Sequence, residues 1–152
     1  ANYVKRHSNT SIKEGNFVDT KGNVLGRHKG IVNYTIGQRK GLGIAFGKPM
    51  FVIDINAKNN TVILGDNSDL FQYNLIAKDV NFISIEDIKE PIRVKAKVRY
   101  AAKPADATVY KVAEDKIKIV FDEAQRAITK GQSVVMYDGD KVVGGGIIES
   151  SF

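Results

Sequence analysis

The stretch Ile92-Arg93-Val94-Lys95-Ala96-Lys97-Val98-Arg99-Tyr100 alternates apolar and cationic residues along its length. Successive side chains of a β-strand point to opposite faces, so a period of two separates the two residue types. The stretch therefore predicts a strand with an apolar face toward a core and four cations on the other face.

The rest of the chain has the same β character. Its apolar runs are short, rich in Val, Ile, Phe and Tyr, and interrupted by turn residues roughly every ten positions. Short helices are expected only at residues 68–71 and 85–89. The predicted strands cover residues 16–19, 24–27, 31–35, 50–55, 61–65, 76–83, 92–101, 108–113, 116–121, 133–137 and 141–149.

Turn chemistry joins several of these strands into hairpins. Glycine, asparagine and aspartate tolerate positive φ or hydrogen-bond their own backbone, which favours tight turns. Such residues predict hairpins at 21–23, 59–60, 114–115 and 138–139. The triple glycine Gly144–Gly146 predicts a bulge or barrel corner.

The sequence divides most naturally near residue 80, because the first half is glycine-rich and cationic and the second is a series of alternating strands. We therefore predict an all-β chain of two small β domains. A poorly ordered segment at 1–13 precedes a central β domain at 14–79, and residues 80–152 form the second domain.

Composition excludes several classes of site. The chain has 152 residues, no cysteine and two histidines, so thiolate nucleophiles, disulfides and Cys- or His-cluster metal sites are excluded. No apolar window approaches the roughly 18 residues of a membrane helix, and the first residues do not form a signal peptide. We expect a cytoplasmic protein with no membrane partner and no metal.

Positive charge is concentrated in two places. No acidic residue lies between Asp19 and Asp54, an interval that holds six cations. The second place is the row on 92–100, whose same-face residues lie about 6.5–7 Å apart, close to the spacing of phosphates along a strand. Both patterns favour a nucleic-acid partner. Solvated loop lysines remain an alternative for the first pattern, and a charged edge strand remains an alternative for the second.

A glycine-rich segment at residues 37–47 resembles a nucleotide-binding loop only superficially. It misses the P-loop and dinucleotide spacings by one residue each, and no βαβ unit surrounds it. The remaining interpretation is a tight loop that projects Gln38, Arg39 and Lys40 toward phosphate or sugar groups.

Several motifs in this order resemble the bacterial tRNA-specific 2-thiouridylases. The similar segments are 26–30 and 34–44 in the first half, and 98–100, 121–127, 128–135, 137–139 and 144–148 in the second. The resemblance implies a translation-factor-like antiparallel β-barrel for the second domain.

The resemblance also implies a function. Members of that family use ATP to adenylate the wobble uridine of certain tRNAs and then add sulfur through a cysteine persulfide. This chain has neither the SGGxDS-type loop nor a cysteine. It is therefore expected to be an inactive, tRNA-binding fragment, with ATP in a missing N-terminal PP-loop domain and a persulfide sulfur donor as a further partner.

Residue by residue, the family's tRNA contacts fall on Arg99, Tyr100 and Gln132. The cationic row adds Lys97. A buried core role remains open for Tyr100, and hydrogen bonding to the hairpin backbone remains open for Gln132. Lys130 stands where the family usually has proline. His28 is expected to be structural or an incidental phosphate contact.

Two rival functions remain open at this point. One is a scaffold β-barrel that packs on a catalytic domain without binding RNA. The other is a hydrolase that uses Asp54, Asp122 or Glu123, although nothing pairs these carboxylates.

Overall fold

The computed structural model of this protein describes residues 13–42, 47–99 and 102–152. These residues form ten strands and two short 3-10 helices, which confirms the predicted all-β class. None of the helical segments in this part of the chain is long and apolar enough to cross a membrane. The strands are β1 (Gly15–Val18), β2 (Val24–His28), β3 (Phe51–Asn56), β4 (Thr61–Gly65), β5 (Phe71–Phe82), β6 (Ile92–Lys97), β7 (Ala105–Ala113), β8 (Lys116–Arg126), β9 (Ser133–Asp138) and β10 (Lys141–Ser151).

The chain forms two compact units that divide between Leu70 and Phe71. The predicted division near residue 80 falls inside β5, which belongs wholly to the second unit. β5 is a long strand, and its alternation continues across the point where the composition changes. Most of the predicted N-terminal segment 1–13 lies outside the described residues.

The first unit is a four-stranded sheet in the order β2-β1-β4-β3. β1 and β4 are parallel, and the other two pairs are antiparallel. Its core consists of buried residues from the strands and from the glycine-rich loop. These are Phe17, Tyr34, Leu42, Met50, Val52, Val62 and Leu64.

His28 is fully buried in this core and has a structural role. The backbone N–H of Gly30 donates to its Nδ1 at 2.9 Å, so Nε2 carries the ring proton and donates to the Asn60 carbonyl at 2.7 Å. The ring also packs edge-on against Phe17 and Tyr34. Of the two expected roles for His28, the structural one is confirmed.

The predicted strand at residues 31–35 is wrong. Residues Ile31–Asn33 form a 3-10 helix, because Gly30 adopts φ 112° and turns the chain away from the direction of β2. The N–H of Asn33 then donates to the Gly30 carbonyl at 3.1 Å. β-branched residues favour strands, but this backbone turn overrides their preference.

The second unit is a closed antiparallel barrel with strand order β10-β5-β8-β7-β6-β9. All four predicted hairpins are present in the molecule, two of them in this barrel. A 3-10 helix covers Asn67–Leu70, close to the prediction at 68–71, whereas 85–89 contains no helix. The barrel core includes Leu75, Ala77, Val94, Ala96, Ile117, Ile119, Phe121, Val134, Met136 and Ile148.

The glycines of β10 allow the neighbouring strands to approach closely. A Cβ on Gly144 would lie 2.4 Å from the Asn81 carbonyl, and one on Gly145 would lie 2.7 Å from the Val134 carbonyl. The register of β10 shifts against both of its neighbours in this region. The predicted bulge at Gly144–Gly146 is therefore confirmed.

Candidate nucleic-acid interface

The predicted alternation of apolar and cationic residues is preserved on β6 and just beyond it, as far as Arg99. Val94, Ala96 and Val98 are buried in the barrel, whereas Arg93 and Arg99 are exposed. β6 pairs with β7 on one side and β9 on the other, so it is not an edge strand. Its cations therefore do not serve to block edge-to-edge pairing.

The first two cations of the row are neutralised by neighbouring strands. The Arg93 guanidinium donates from both terminal nitrogens to the Asp122 carboxylate at 2.7 Å, and Lys95 lies 3.5 Å from Asp106. The register places Lys95 directly opposite Asp106. The first half of the row is thus compensated by acids that the neighbouring β7 and the next strand, β8, place beside it.

This ion pair on the barrel wall changes the titration of both partners. The hydrogen bonds from Arg93 hold the pKa of Asp122 below its ordinary value, and the same bonds raise the pKa of Arg93. A carboxylate held in this way is an ion-pair partner. The structure gives no support to Asp122 as an acid or base.

Arg99 lies beyond the end of β6, in the connection to β7. Its guanidinium donates to the backbone carbonyl of Arg126, at the end of β8. Arg99 therefore ties the start of the connection after β6 to the end of β8. Tyr100, the other half of the predicted pair, lies outside the described residues.

Gln132 is the last residue of a tight turn that begins at Thr129. Its N–H donates to the Thr129 carbonyl at 3.3 Å, and its own carbonyl accepts from the Ile148 N–H at 2.8 Å. The side chain is exposed and makes no hydrogen bond to a described residue. The backbone thus anchors Gln132, and its amide group faces solvent.

The strand register brings Arg99 and Gln132 to the same end of the barrel. Lys95 pairs with Tyr137 and Lys97 with Val135, so β6 ends at the end of the barrel where β9 begins. The two predicted contacts are far apart in sequence and lie at the same end of the barrel. Lys97 lies one step before them on β6.

We call this region the basic end and define it by the described residues 98–99, 102–104 and 127–132 with the flanking Lys97 and Arg126. No acidic residue occurs in 97–105 or 124–137. The site prediction missed Lys103, Arg126 and Lys130, which belong to the same end. The absence of acids from both segments was the sequence signal that could have identified them.

The opposite end of the barrel, which we call the acidic end, consists of connections 83–91, 114–115 and 139–140 with the flanking Asp138. Lys111 donates to Asp87 there at 2.6 Å, and this bond lowers the pKa of Asp87. The barrel is therefore electrically polarised along its axis, although its total charge is nearly balanced. The acids of this end are Glu86, Asp87, Glu90, Glu114, Asp115, Asp138 and Asp140.

The glycine-rich loop of the first unit carries the other predicted contacts. The Gln38 side chain accepts from the Thr35 N–H at 3.0 Å and donates to the Lys40 carbonyl at 2.8 Å. Its backbone pairs with Val52 of β3. Gln38 thus holds the loop, and an RNA contact by its side chain stays a prediction that would compete with these bonds.

Arg39 and Lys40 are exposed on that loop and make no side-chain bond within the described residues. Other cations of the acid-free interval do have partners: Arg27 donates to Asn16 at 3.0 Å, and Lys48 lies 3.7 Å from Asp66. The positive charge of the acid-free interval is therefore compensated at Lys48 by Asp66, which lies outside the interval.

The sequence matches two known domain families. Residues 72–148 match the aminomethyltransferase beta-barrel domain, and residues 1–66 match the tRNA methyl transferase PRC-barrel domain. The chain is 76% identical over 151 residues to the tRNA-specific 2-thiouridylase MnmA of Clostridioides difficile strain 630. The corresponding enzyme of Acetivibrio thermocellus is 59% identical over 147 residues, and one from Clostridium botulinum strain Okra is 58% identical over 147 residues.

Over residues 72–148, just over half of its length, the chain belongs to the aminomethyltransferase beta-barrel domain family. The match covers 99% of this chain but 42% of the Clostridioides protein, and 97% of this chain but 41% of the Acetivibrio protein. The Clostridium match likewise covers 97% of this chain and 42% of the relative. The chain thus spans less than half the length of these 2-thiouridylases, and it corresponds to their C-terminal region.

The glycine-rich loop, as far as the structure describes it, does not have the form of a nucleotide-binding loop. A phosphate-binding loop of the usual kind leads from a strand through glycines into a helix N-terminus. The described residues contain no α-helix, and the glycine loop is fastened to β3 through Gly37 and Gln38. What the surface offers is guanidinium, ammonium and amide donors, which bind phosphate and sugar oxygens.

Proposed function

We propose that this chain is the tRNA-binding and positioning portion of an enzyme that 2-thiolates the wobble uridine of tRNA. The observation that carries the proposal is the basic end of the barrel, where the segments that hold Arg99 and Gln132 lie at the same end and contain no acidic residue. An arginine guanidinium can donate two hydrogen bonds to one phosphate, and a glutamine amide can hydrogen-bond to a sugar or to a base edge.

The chemistry of thiolation belongs, in this proposal, to other parts of the enzyme. ATP and the working cysteines are assigned to an N-terminal PP-loop domain, and sulfur arrives from a persulfide donor. The compartment is the cytoplasm. The exposed cations Arg39 and Lys40 of the first unit are proposed as additional phosphate contacts.

The experiment is a titration of labelled tRNA with this chain at rising salt. Each phosphate contact contributes about 0.7–0.9 to the slope of log affinity against log salt, so several contacts give a clearly negative slope. Absence of binding, or binding that salt does not weaken, would leave the scaffold function as the better account.

Arg99→Ala and Arg93→Ala form a matched pair for this titration. Both are exposed arginines of the same alternating row, but Arg93 is bound to Asp122 and Arg99 lies at the basic end. We expect Arg99→Ala to weaken binding about tenfold, the loss of one charge-assisted hydrogen bond. Arg93→Ala should leave the affinity within about twofold. Equal effects of the two changes would contradict the assignment to the basic end.

A further inference from the structure

The turn before Gln132 places a lysine at its tip. Thr129, Lys130, Gly131 and Gln132 occupy the four turn positions, and Gly131 has φ 87° at the third of them. Lys130, at the second position, is not among the residues with positive φ, and this combination is typical of a type II turn, in which the second position favours proline. Lys130 therefore occupies a position where proline would suit the backbone equally well and would carry no charge.

The backbone beneath Lys130 is fastened on both sides. The N–H of Gly131 donates to the Ile148 carbonyl at 2.8 Å, and the N–H of Ile148 donates to the Gln132 carbonyl at 2.8 Å. On the other side, the Thr129 hydroxyl donates to the Ala127 carbonyl at 2.9 Å. The point from which the lysine projects is thus fixed in advance, which lowers the entropic cost of a contact made there.

The Lys130 side chain is exposed and has no ion-pair or hydrogen-bond partner among the described residues. Lys95 of the same barrel differs, because its ammonium nitrogen lies 3.5 Å from the carboxylate of Asp106. No acidic residue in this segment competes with an external anion for the Lys130 ammonium group.

Barrel topology places this turn beside the other connection of the basic end. β6 is antiparallel to β7 and β9, and β7 is antiparallel to β8, so the ends of β6 and β8 and the start of β9 lie at one end of the barrel. The bond from Arg99 to the Arg126 carbonyl joins the first two of these. Lys130 therefore projects from the same end that carries Arg99 and Gln132.

We propose that Lys130 is a further phosphate-contacting residue of the tRNA surface, held at the turn tip beside Gln132. This proposal rests on the proposed function of the basic end. An ammonium group is a point charge that binds phosphate oxygens without reading bases, so Lys130 adds affinity equally for different tRNAs.

The test compares Lys130→Pro, Lys130→Ala and Lys141→Ala in the salt titration with tRNA. Lys130→Pro keeps the turn and removes the charge, so its melting temperature should stay level or rise. Both Lys130 variants should make the log–log slope less negative by about 0.7–0.9. Lys141 is an exposed lysine beside a turn at the acidic end, and its removal should change neither slope nor affinity.

The outcomes distinguish the assignment of Lys130 from the proposed tRNA-binding function of the basic end. If the parent chain binds tRNA with a negative salt slope and both Lys130 variants keep that slope, the assignment of Lys130 is wrong and the tRNA surface stands. If the parent chain itself does not bind tRNA, both proposals fall. A loss seen with Lys130→Ala but not with Lys130→Pro would assign the residue to the turn backbone and overturn the phosphate contact.

Discussion

The two ends of the barrel are built from the same strands but differ in charge and in the way their connections are held. At the basic end, Arg99 donates to a backbone carbonyl, and its neighbours Lys103 and Lys130 have no partner among the described residues. At the acidic end, Lys111 is bound to Asp87 and the other charges are mostly carboxylates.

The difference shows that total charge conceals where a partner can bind. Acids and bases are nearly equal in number over the second half of the sequence, yet the fold sorts them to opposite ends. A polyanion is drawn to one end and repelled by the other, and this sorting orients it before any contact forms. The barrel wall between the ends carries compensated pairs such as Arg93 with Asp122.

The largest effect is expected from Gly144→Ala, which should destabilise the barrel on which both ends depend. A Cβ there would lie 2.4 Å from a backbone carbonyl of β5. We expect a loss of about 1–3 kcal/mol in the free energy of unfolding by denaturant, as for other overpacked sites. Gly139→Asn, at a turn with φ 61° and open space, should change it by less than about 0.5 kcal/mol. An unaltered unfolding curve for Gly144→Ala would contradict the close approach.

Charge reversal at each end tests the comparison itself. The double change Arg99→Glu and Lys103→Glu should weaken tRNA binding by about a hundredfold, from two lost cations and two added repulsions. The double change Lys89→Glu and Lys141→Glu makes the same net alteration at the acidic end and should stay within about threefold. Equal losses would mean that tRNA responds only to net charge.

Neutralising acids at the acidic end should have a smaller effect of opposite sign. Glu86→Gln with Glu114→Gln weakens the repulsion of a polyanion and should raise the association rate with tRNA by about two- to threefold at low salt. The gain should vanish at high salt, because exposed charges are screened there. Stopped-flow association measures it, and a fall in the rate would show that these acids attract the partner.

The smallest effect is expected from pH. Asp122 and Asp87 have pKa values lowered by hydrogen bonds from Arg93 and Lys111, so both contribute stability above the ordinary carboxyl pKa. That contribution is lost as pH falls below about 4 and through the lowered values. Melting temperature should therefore fall in that window, and Asp122→Asn should flatten the fall by about one or two degrees. If Asp122→Asn left the dependence of the melting temperature on pH unchanged, the Arg93–Asp122 pair would not be a cause of the loss of stability at low pH.

Much of the fold was predictable because its signals are local. Alternation over Ile92–Tyr100 requires only neighbouring residues, and turn residues such as Asp138-Gly139 act within their own hairpin. The 3-10 helix at Ile31–Asn33 was missed because Gly30 redirects the chain, an effect that β-propensity does not register. The division at Leu70 was missed because composition changes inside β5 and not at its start.

The candidate site was only half predictable, because its geometry depends on register between distant strands. Arg99 and Gln132 came from the resemblance to a family, and the register of β6 against β9 explains why they belong together. Lys103 and Lys130 lie in the same two acid-free segments, and the fold brings these segments to one end of the barrel. The pairing of Lys95 with Asp106 reversed an inference from sequence, since the compensating acid comes from the next strand.

The most direct test of the account is a map of backbone amide chemical shifts in the isotope-labelled chain as tRNA is added. The account predicts changes concentrated in residues 97–104 and 126–133, with amides at 86–90, 114–115 and 138–141 nearly unmoved. Changes centred on the acidic end, or spread evenly over both ends, would contradict the claim that the basic end of the barrel holds the RNA.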